Sequence, residues 1–107
     1  MITFVGLRRK PMKKRLYAIY KHPAGYEGEK MLFVSAEKEG ELERGQLYVV
    51  EDVKMGNYFT FITLQGLPNR YKMLNSVAFN FFVMENNKVT PHDIFSDPEY
   101  NHYVQEL

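Results

Sequence analysis

His22, His92 and His102 are the side chains best suited to hold a metal or move a proton near neutral pH. None stands at the His-x-x-x-His spacing that puts two ligands on one helix face. Glu99 and His102 are three apart, but carboxylate metal sites of that kind need a second such pair and further Glu from other helices. With Asp93, Asp97 and Glu99 nearby, the simpler reading is a capped, solvated helix, and no metal or other cofactor is expected. Ser35, Ser76 and Ser96 lack the Gly-x-Ser-x-Gly elbow that exposes a nucleophile. The chain contains no Cys, which removes thiol catalysis, thiolate metal sites and disulfides. Glu51 and Asp52 are adjacent, and neighbours on a strand face opposite ways, so they are not expected to converge on a substrate. No Gly-x-x-x-x-Gly-Lys-Ser/Thr phosphate loop is present. These absences point away from an enzyme.

Binding chemistry is better represented. The 107 residues carry a net charge of only +1, but the charge is divided unevenly. Residues 1–30 hold eight basic and two acidic residues, a net +6, while residues 31–107 hold six basic and eleven acidic, a net −5. Arg8, Arg9, Lys10, Lys13, Lys14 and Arg15 could neutralise phosphates in a salt-dependent, sequence-blind way. Aromatic residues reach 15% with eight Tyr, eight Phe and no Trp, more than a small core readily absorbs. Tyr58, Phe59, Phe61, Phe79, Phe81 and Phe82 form a pool on which the bases of a single strand could stack. The acidic body opposes that reading, because single-strand grooves are positive. It favours a protein partner, for which Tyr17, Tyr20, Tyr58, Tyr71, Tyr100 and Tyr103 are the candidate anchors, with Tyr26 beside them. The partner would be a host protein or a second copy of the chain, since strand 58–64 would be adhesive if left at a sheet edge.

The elements that must carry these residues are short. Residues 16–20 read as a strand, residues 22–28 as a turn, and residues 31–34 as a second strand closing a hairpin. Residues 37–45, with Glu at 37, 39, 41 and 43, read as a solvated loop. Residues 46–53 and 58–64 are strands separated by Met55-Gly56-Asn57, and Gly66-Leu67-Pro68-Asn69 ends the second. Residues 77–84 alternate with period 2 and are apolar on both faces, which predicts burial on both sides. Asn86-Asn87 turns the chain. Thr90-Pro91-His92-Asp93 and Ser96-Asp97-Pro98-Glu99 each carry a capping-box pattern. Beyond the second, Tyr100, Tyr103, Val104 and Leu107 make one apolar helical stripe. A short helix over residues 97–107 therefore packs on a β domain spanning residues 12–107. Residues 1–11 read as a flexible basic extension. No apolar stretch approaches the ~18 residues of a membrane span, and the N-terminus lacks a secretory pattern, so the expected setting is cytoplasmic.

Leu42-x-x-Gly45-x-x-Tyr48-x-Val50 resembles the start of the barrel in small SH3-like domains, where a Gly turn precedes a strand with inward Tyr and Val. Together with Leu67-Pro68-Asn69 and Asn75-Ser76-Val77-x-Phe79, it resembles short, mostly uncharacterised proteins of Gram-positive phages and prophages. The likeness covers about a third of the chain and rests on turn and strand signals. It implies a mainly β fold, a small five-stranded SH3-like barrel with a C-terminal helix, in a phage or mobile-element setting. An OB-like barrel is the alternative, because strand order is not legible in the residues. Toxin endoribonucleases of the MazF type share that barrel, but their Arg-Gly-Asp strand start and Arg-Pro loop are missing here. The expected function is a non-enzymatic accessory protein acting through protein contact with a host factor or itself. The alternative is a single-stranded nucleic-acid binder that uses the basic arm.

Overall fold

A computed structural model describes residues 15–25 and 31–101. The basic extension, with Arg8, Arg9, Lys10, Lys13 and Lys14, lies outside the described residues, as do Tyr26, His102 and Tyr103. The chain forms β1 (Arg15–Tyr20), α1 (Leu32–Lys38), β2 (Leu47–Met55), β3 (Thr60–Leu64), β4 (Leu74–Asn75), β5 (Phe79–Glu85) and β6 (Lys88–Pro91). Short 3-10 turns at Asn69–Tyr71, Ser76–Ala78 and Ile94–Ser96 join them. The strands make one six-stranded antiparallel sheet in the order β4-β3-β2-β1-β5-β6. The fold is mainly β as expected. The sheet has six strands where five were expected, and no pairing joins β4 to β6 among the described residues, so it does not close.

β2 is long enough to serve two neighbours. Its first half pairs with β1, Tyr17 opposite Val49, and its second half with β3, Val53 opposite Ile62. The register shifts between Val50 and Asp52, leaving Glu51 as the extra residue of a bulge. A bulge bends and twists its strand, which lets one strand turn from one neighbour to the next. It also changes where the carboxylates go. Glu51 and Asp52 line one hollow, with Glu99, Arg15 and Tyr100, although plain strand alternation would part them.

Residues 31–34 are not a strand. They open α1, whose Phe33, Val34 and Ala36 are buried while Leu32 and Ser35 face out. Four apolar residues cannot tell a strand from a turn of helix. The deciding signal lies downstream, in Ser35-Ala36-Glu37-Lys38 and Gly40. Gly40 takes φ +80, its N–H donates to the Glu37 carbonyl at 3.0 Å, and the Glu41 N–H donates to the Ala36 carbonyl at 2.8 Å. That pair of bonds is a Schellman cap, which satisfies carbonyls the helix end leaves open. The expected loop 37–45 thus begins inside a helix, and its acids are not all solvated. Glu37 accepts from the Tyr20 hydroxyl and from Arg44, and Glu39 from the Tyr71 hydroxyl and Arg70. These bonds clamp α1 to β1 on one side and to the segment after β3 on the other.

The core lies on the α1 side of the sheet. Leu16, Ala18 and Tyr20 of β1, Ile62 and Leu64 of β3, and Phe79, Phe81 and Val83 of β5 meet Phe33, Ala36, Leu74 and Ile94 there. Each fully buried side chain of this size stabilises the fold by about 1.5–3 kcal/mol relative to exposure. β5 alternates as expected, but among the described residues only the face with Phe79, Phe81 and Val83 is fully buried. Asn80 is exposed, and Phe82 and Met84 are half-buried. β3 sits between β2 and β4, so the strand expected to be adhesive at an edge is internal.

The C-terminal stretch departs from its expected caps. Thr90 and Pro91 belong to β6, and Asp93 performs the capping, its carboxylate accepting from the Phe95 N–H at 3.0 Å and from Ser96 Oγ at 2.8 Å. At the second position Asp97 replaces Ser96 as acceptor, taking the Glu99 N–H at 2.9 Å. Asp97 offers a charged acceptor, reaches one bond farther than a serine hydroxyl, and sits one residue nearer the free N–H groups. Residues 98–100 form a turn, and the rest of the expected helix, residues 102–107, lies outside the described residues. No helix of the described residues is long and apolar enough to cross a membrane.

Candidate aromatic groove

Tyr58 and Phe59 were expected to start a strand. Instead they form the tip of the β2–β3 hairpin, because the Gly56 N–H donates to the Phe59 carbonyl at 2.9 Å and closes the turn before Thr60. Gly56 permits the closure: a Cβ there would lie 3.3 Å from the Phe59 carbonyl oxygen, tighter than side-chain atoms normally tolerate. The result is unusual exposure. Tyr58 is 90% exposed and Phe59 61%. Isolated exposed apolar residues are normal, but a contiguous group marks an interaction site.

The group is contiguous. A groove of about 510 Å³ runs beside the tip, walled by Tyr58, Phe59, Val77 and Phe95 and floored by Phe79 and Phe81. A second hollow of about 380 Å³ shares Tyr58 and Phe59 with it and is lined also by Met55 and Phe61. The Phe59 and Phe61 rings stand 6.2 Å apart, and the Phe79 and Phe81 rings 6.5 Å apart. Val77 and Phe95 are exposed, and both belong to 3-10 turns. The Asn75 side chain fixes the first of these turns by accepting the Val77 N–H at 3.0 Å. The Lys21 N–H donates to the Ala78 carbonyl at 2.8 Å and holds the end of β1 against the same turn. Among the described residues, the formal charges lining the two hollows are Lys21 and Lys54, both positive. This surface can take apolar or planar groups against its rings and an anionic group beside them.

Of the aromatic pool marked in the sequence, Tyr58, Phe59, Phe61, Phe79 and Phe81 meet here, while Phe82 lies on β5 outside both hollows. The candidate tyrosine anchors scatter. Tyr17 is half-buried on β1, facing away from the core. Tyr20 is fully buried, and its hydroxyl donates to Glu37 at 2.6 Å; burial, then that carboxylate, push its phenol above the ordinary range. Tyr71 is buried with its hydroxyl on Glu39, and that bond raises its pKa. Tyr100 is half-buried in the acidic hollow by Arg15, where burial, with Glu99 and Asp97 adding to it, pushes it up to about 12. Of the described members of this set, only Tyr58 lies in the groove. Lys21, Lys54, Val77 and Phe95 escaped the sequence reading. Lys21 was counted only within the charge of residues 1–30, and the tertiary fold alone brings these residues beside Tyr58.

The two described histidines, His22 and His92, have separate partners. His92 Nε2 lies 2.7 Å from Asp97 Oδ2, and His22 packs edge-on against Phe33 at 5.9 Å. No group of three or more His, Asp or Glu able to hold a metal is found among the described residues. Ser96 Oγ is bonded to Asp93, not to His92.

Neither a curated protein nor a solved structure matches the chain. A family profile does: that of bacteriophage T4 protein Y07B matches residues 15–106, from the first residue of β1 to within one residue of the C-terminus. The groove, its two lysines and every described strand fall inside that span, and the chain belongs to the bacteriophage T4 Y07B protein family.

Proposed function

We propose that this phage-family protein is a non-catalytic accessory protein that docks a host protein through the aromatic groove at the β2–β3 tip. The observation that carries the reading is the 90% exposure of Tyr58 beside an apolar groove floored by Phe79 and Phe81. Rings that a fold leaves in water cost it solubility, and Tyr and Phe are the residues that interface cores enrich. A non-catalytic reading suits the capping use of Asp93 and Asp97, whose carboxylates hold Ser96, His92 and backbone N–H groups. Small barrels commonly present a binding surface at their loops, and two features support an SH3-like barrel left open at one side. They are the order β5-β1-β2-β3-β4 and the 3-10 turn between β4 and β5. The cytoplasm of the infected cell is the setting this reading implies.

A second reading, single-stranded nucleic acid, is favoured by one observation: Lys21 and Lys54 are the charges beside the rings. Binding of labelled single-stranded DNA and RNA at two salt concentrations separates the readings. Salt-sensitive binding lost in Tyr58→Ser supports the nucleic-acid reading, and no binding at low salt removes it.

A further inference from the structure

We infer that the segment docked by the groove is acidic as well as apolar: a short stretch of the partner protein in which Asp or Glu stands beside aromatic or aliphatic side chains. This identity of the occupant rests on the docking role proposed above for the groove. Two hydroxyls point to it. Thr60 and Ser76 both line the groove, and each is only 8% exposed. Their nearness follows from register. Phe61 pairs with Asn75 and Ile62 with Leu74, so Thr60, the next position of β3, comes beside Ser76 where the chain enters its 3-10 turn. Neither hydroxyl has a hydrogen-bond partner among the described residues. The turn does not use Ser76 Oγ, because Asn75 already accepts the Val77 N–H. Thr63 shows the contrast, its hydroxyl donating to the Lys72 carbonyl at 2.6 Å. A buried hydroxyl that the fold leaves open is costly unless water or a ligand completes it.

The charges agree with these donors. Lys21 lines the same groove, and Lys54 lines the hollow that shares Tyr58 and Phe59 with it. Neither lysine makes an ion pair among the described residues. No described acidic side chain lines either hollow, although residues 31–107 carry a net −5. A carboxylate accepts from hydroxyls and from an ammonium at once, so Thr60, Ser76 and Lys21 together suit one carboxylate. An apolar neighbour in the same segment then meets Phe79 and Phe81. The groove, about 510 Å³, has the size of a small-ligand cleft, which suits a short segment and not a broad flat face. A basic segment would set like charge against both lysines, and a neutral one would leave them unused. Nucleic acid fits less well, because its phosphates recur along the whole strand and the acidic body offers one lysine in each hollow.

Selection of a displayed random-peptide library on the immobilised full chain tests this, with Tyr58→Ser protein in parallel to mark the peptides that need the groove. The expected result is enrichment of Asp or Glu flanked by aromatic or aliphatic residues among those peptides. Fluorescence anisotropy of a selected, labelled peptide then reads the site. Lys21→Gln should weaken its binding by about tenfold, and Ser76→Ala by about threefold. Replacing the peptide's Asp and Glu by Asn and Gln should weaken it about tenfold on the unaltered protein and far less on Lys21→Gln, as a direct pair requires. Thr60→Val should also weaken binding by about threefold, yet hold or raise the urea midpoint of the free protein, because it removes a hydroxyl that the fold does not use. Tyr58-dependent peptides that are neutral or basic overturn the inference and leave the docking role of the groove standing. Absence of any Tyr58-dependent peptide overturns both. Tyr58-dependent binding of single-stranded oligothymidylate tighter than that of every selected peptide overturns the inference in favour of nucleic acid.

Discussion

The Tyr20 hydroxyl at the end of β1 donates to Glu37 in the last turn of α1 at 2.6 Å, and this bond ties the helix to the sheet. Arg44 reaches the other oxygen of the same carboxylate at 2.8 Å. Burial opposes ionisation of Glu37, but the hydrogen bonds from Tyr20 and Arg44 more than offset it, so its pKa lies below the usual 4.5. A depressed carboxylate contributes stability that is present above its unfolded value and lost as pH falls through its folded value. Glu37→Gln should therefore lower the urea midpoint near pH 7, and the difference from wild type should shrink below about pH 4.5. Tyr20→Phe should cost about 1–3 kcal/mol near neutrality, the range for a buried hydrogen bond to a charged acceptor. Because the Tyr20 phenol is raised, its contribution is present below pH 10 and lost on the alkaline side as pH climbs through the folded value.

The β5–β6 turn uses Asn86 and Asn87 at φ 52 and φ 64. Two positive φ values in a two-residue hairpin are the type I′ geometry, for which Asn-Gly is preferred. Asn87→Gly should raise stability by about 0.5 kcal/mol, read as a higher thermal midpoint, whereas Asn87→Val should lower it.

Asp97 is 9% exposed and holds both His92 and the Glu99 N–H. Asp97→Ala removes both bonds at once. The expected loss is about 1–3 kcal/mol, with faster amide exchange confined to the turn that follows. Ser96→Ala, at the position the sequence pattern favours, should cost less.

Tyr58→Ser and Phe59→Ser test the groove without touching the core. Each should change unfolding free energy by no more than about 0.5 kcal/mol, because the side chains are mostly in water. Each should weaken partner binding by about 2 kcal/mol or more, as truncation of an aromatic anchor does. Phe33→Ala is the contrast: fully buried, it should cost about 3–5 kcal/mol and affect binding only through folding.

The strands that carry period-2 patterns between turn residues were legible in the sequence. Leu16 to Tyr20, the run through Tyr48 and Val50, and the alternation Phe79, Phe81, Val83 all stand where local pattern places them. α1 was not, because Met31 to Val34 is too short to show a period and its cap at Gly40 reads equally as a loop. The groove was half legible. Its rings could be listed, but which of them face water depends on where the hairpin closes, and Gly56 closes it one residue short of Thr60. The second face of β5 was legible as chemistry and not as structure. The two-sided pattern of β5 is real, yet among the described residues Phe79, Phe81 and Val83 are buried while Phe82 and Met84 are only half-buried.

Photo-crosslinking from the groove tests the central claim most directly. A benzoylphenylalanine replacing Tyr58 in the full chain, expressed in infected host cells, should yield one discrete crosslinked host protein on irradiation. The same group at Lys88, exposed on β6 and away from the groove, should yield none. Equal crosslinking from both positions, or none from position 58, would contradict a docking role for the groove.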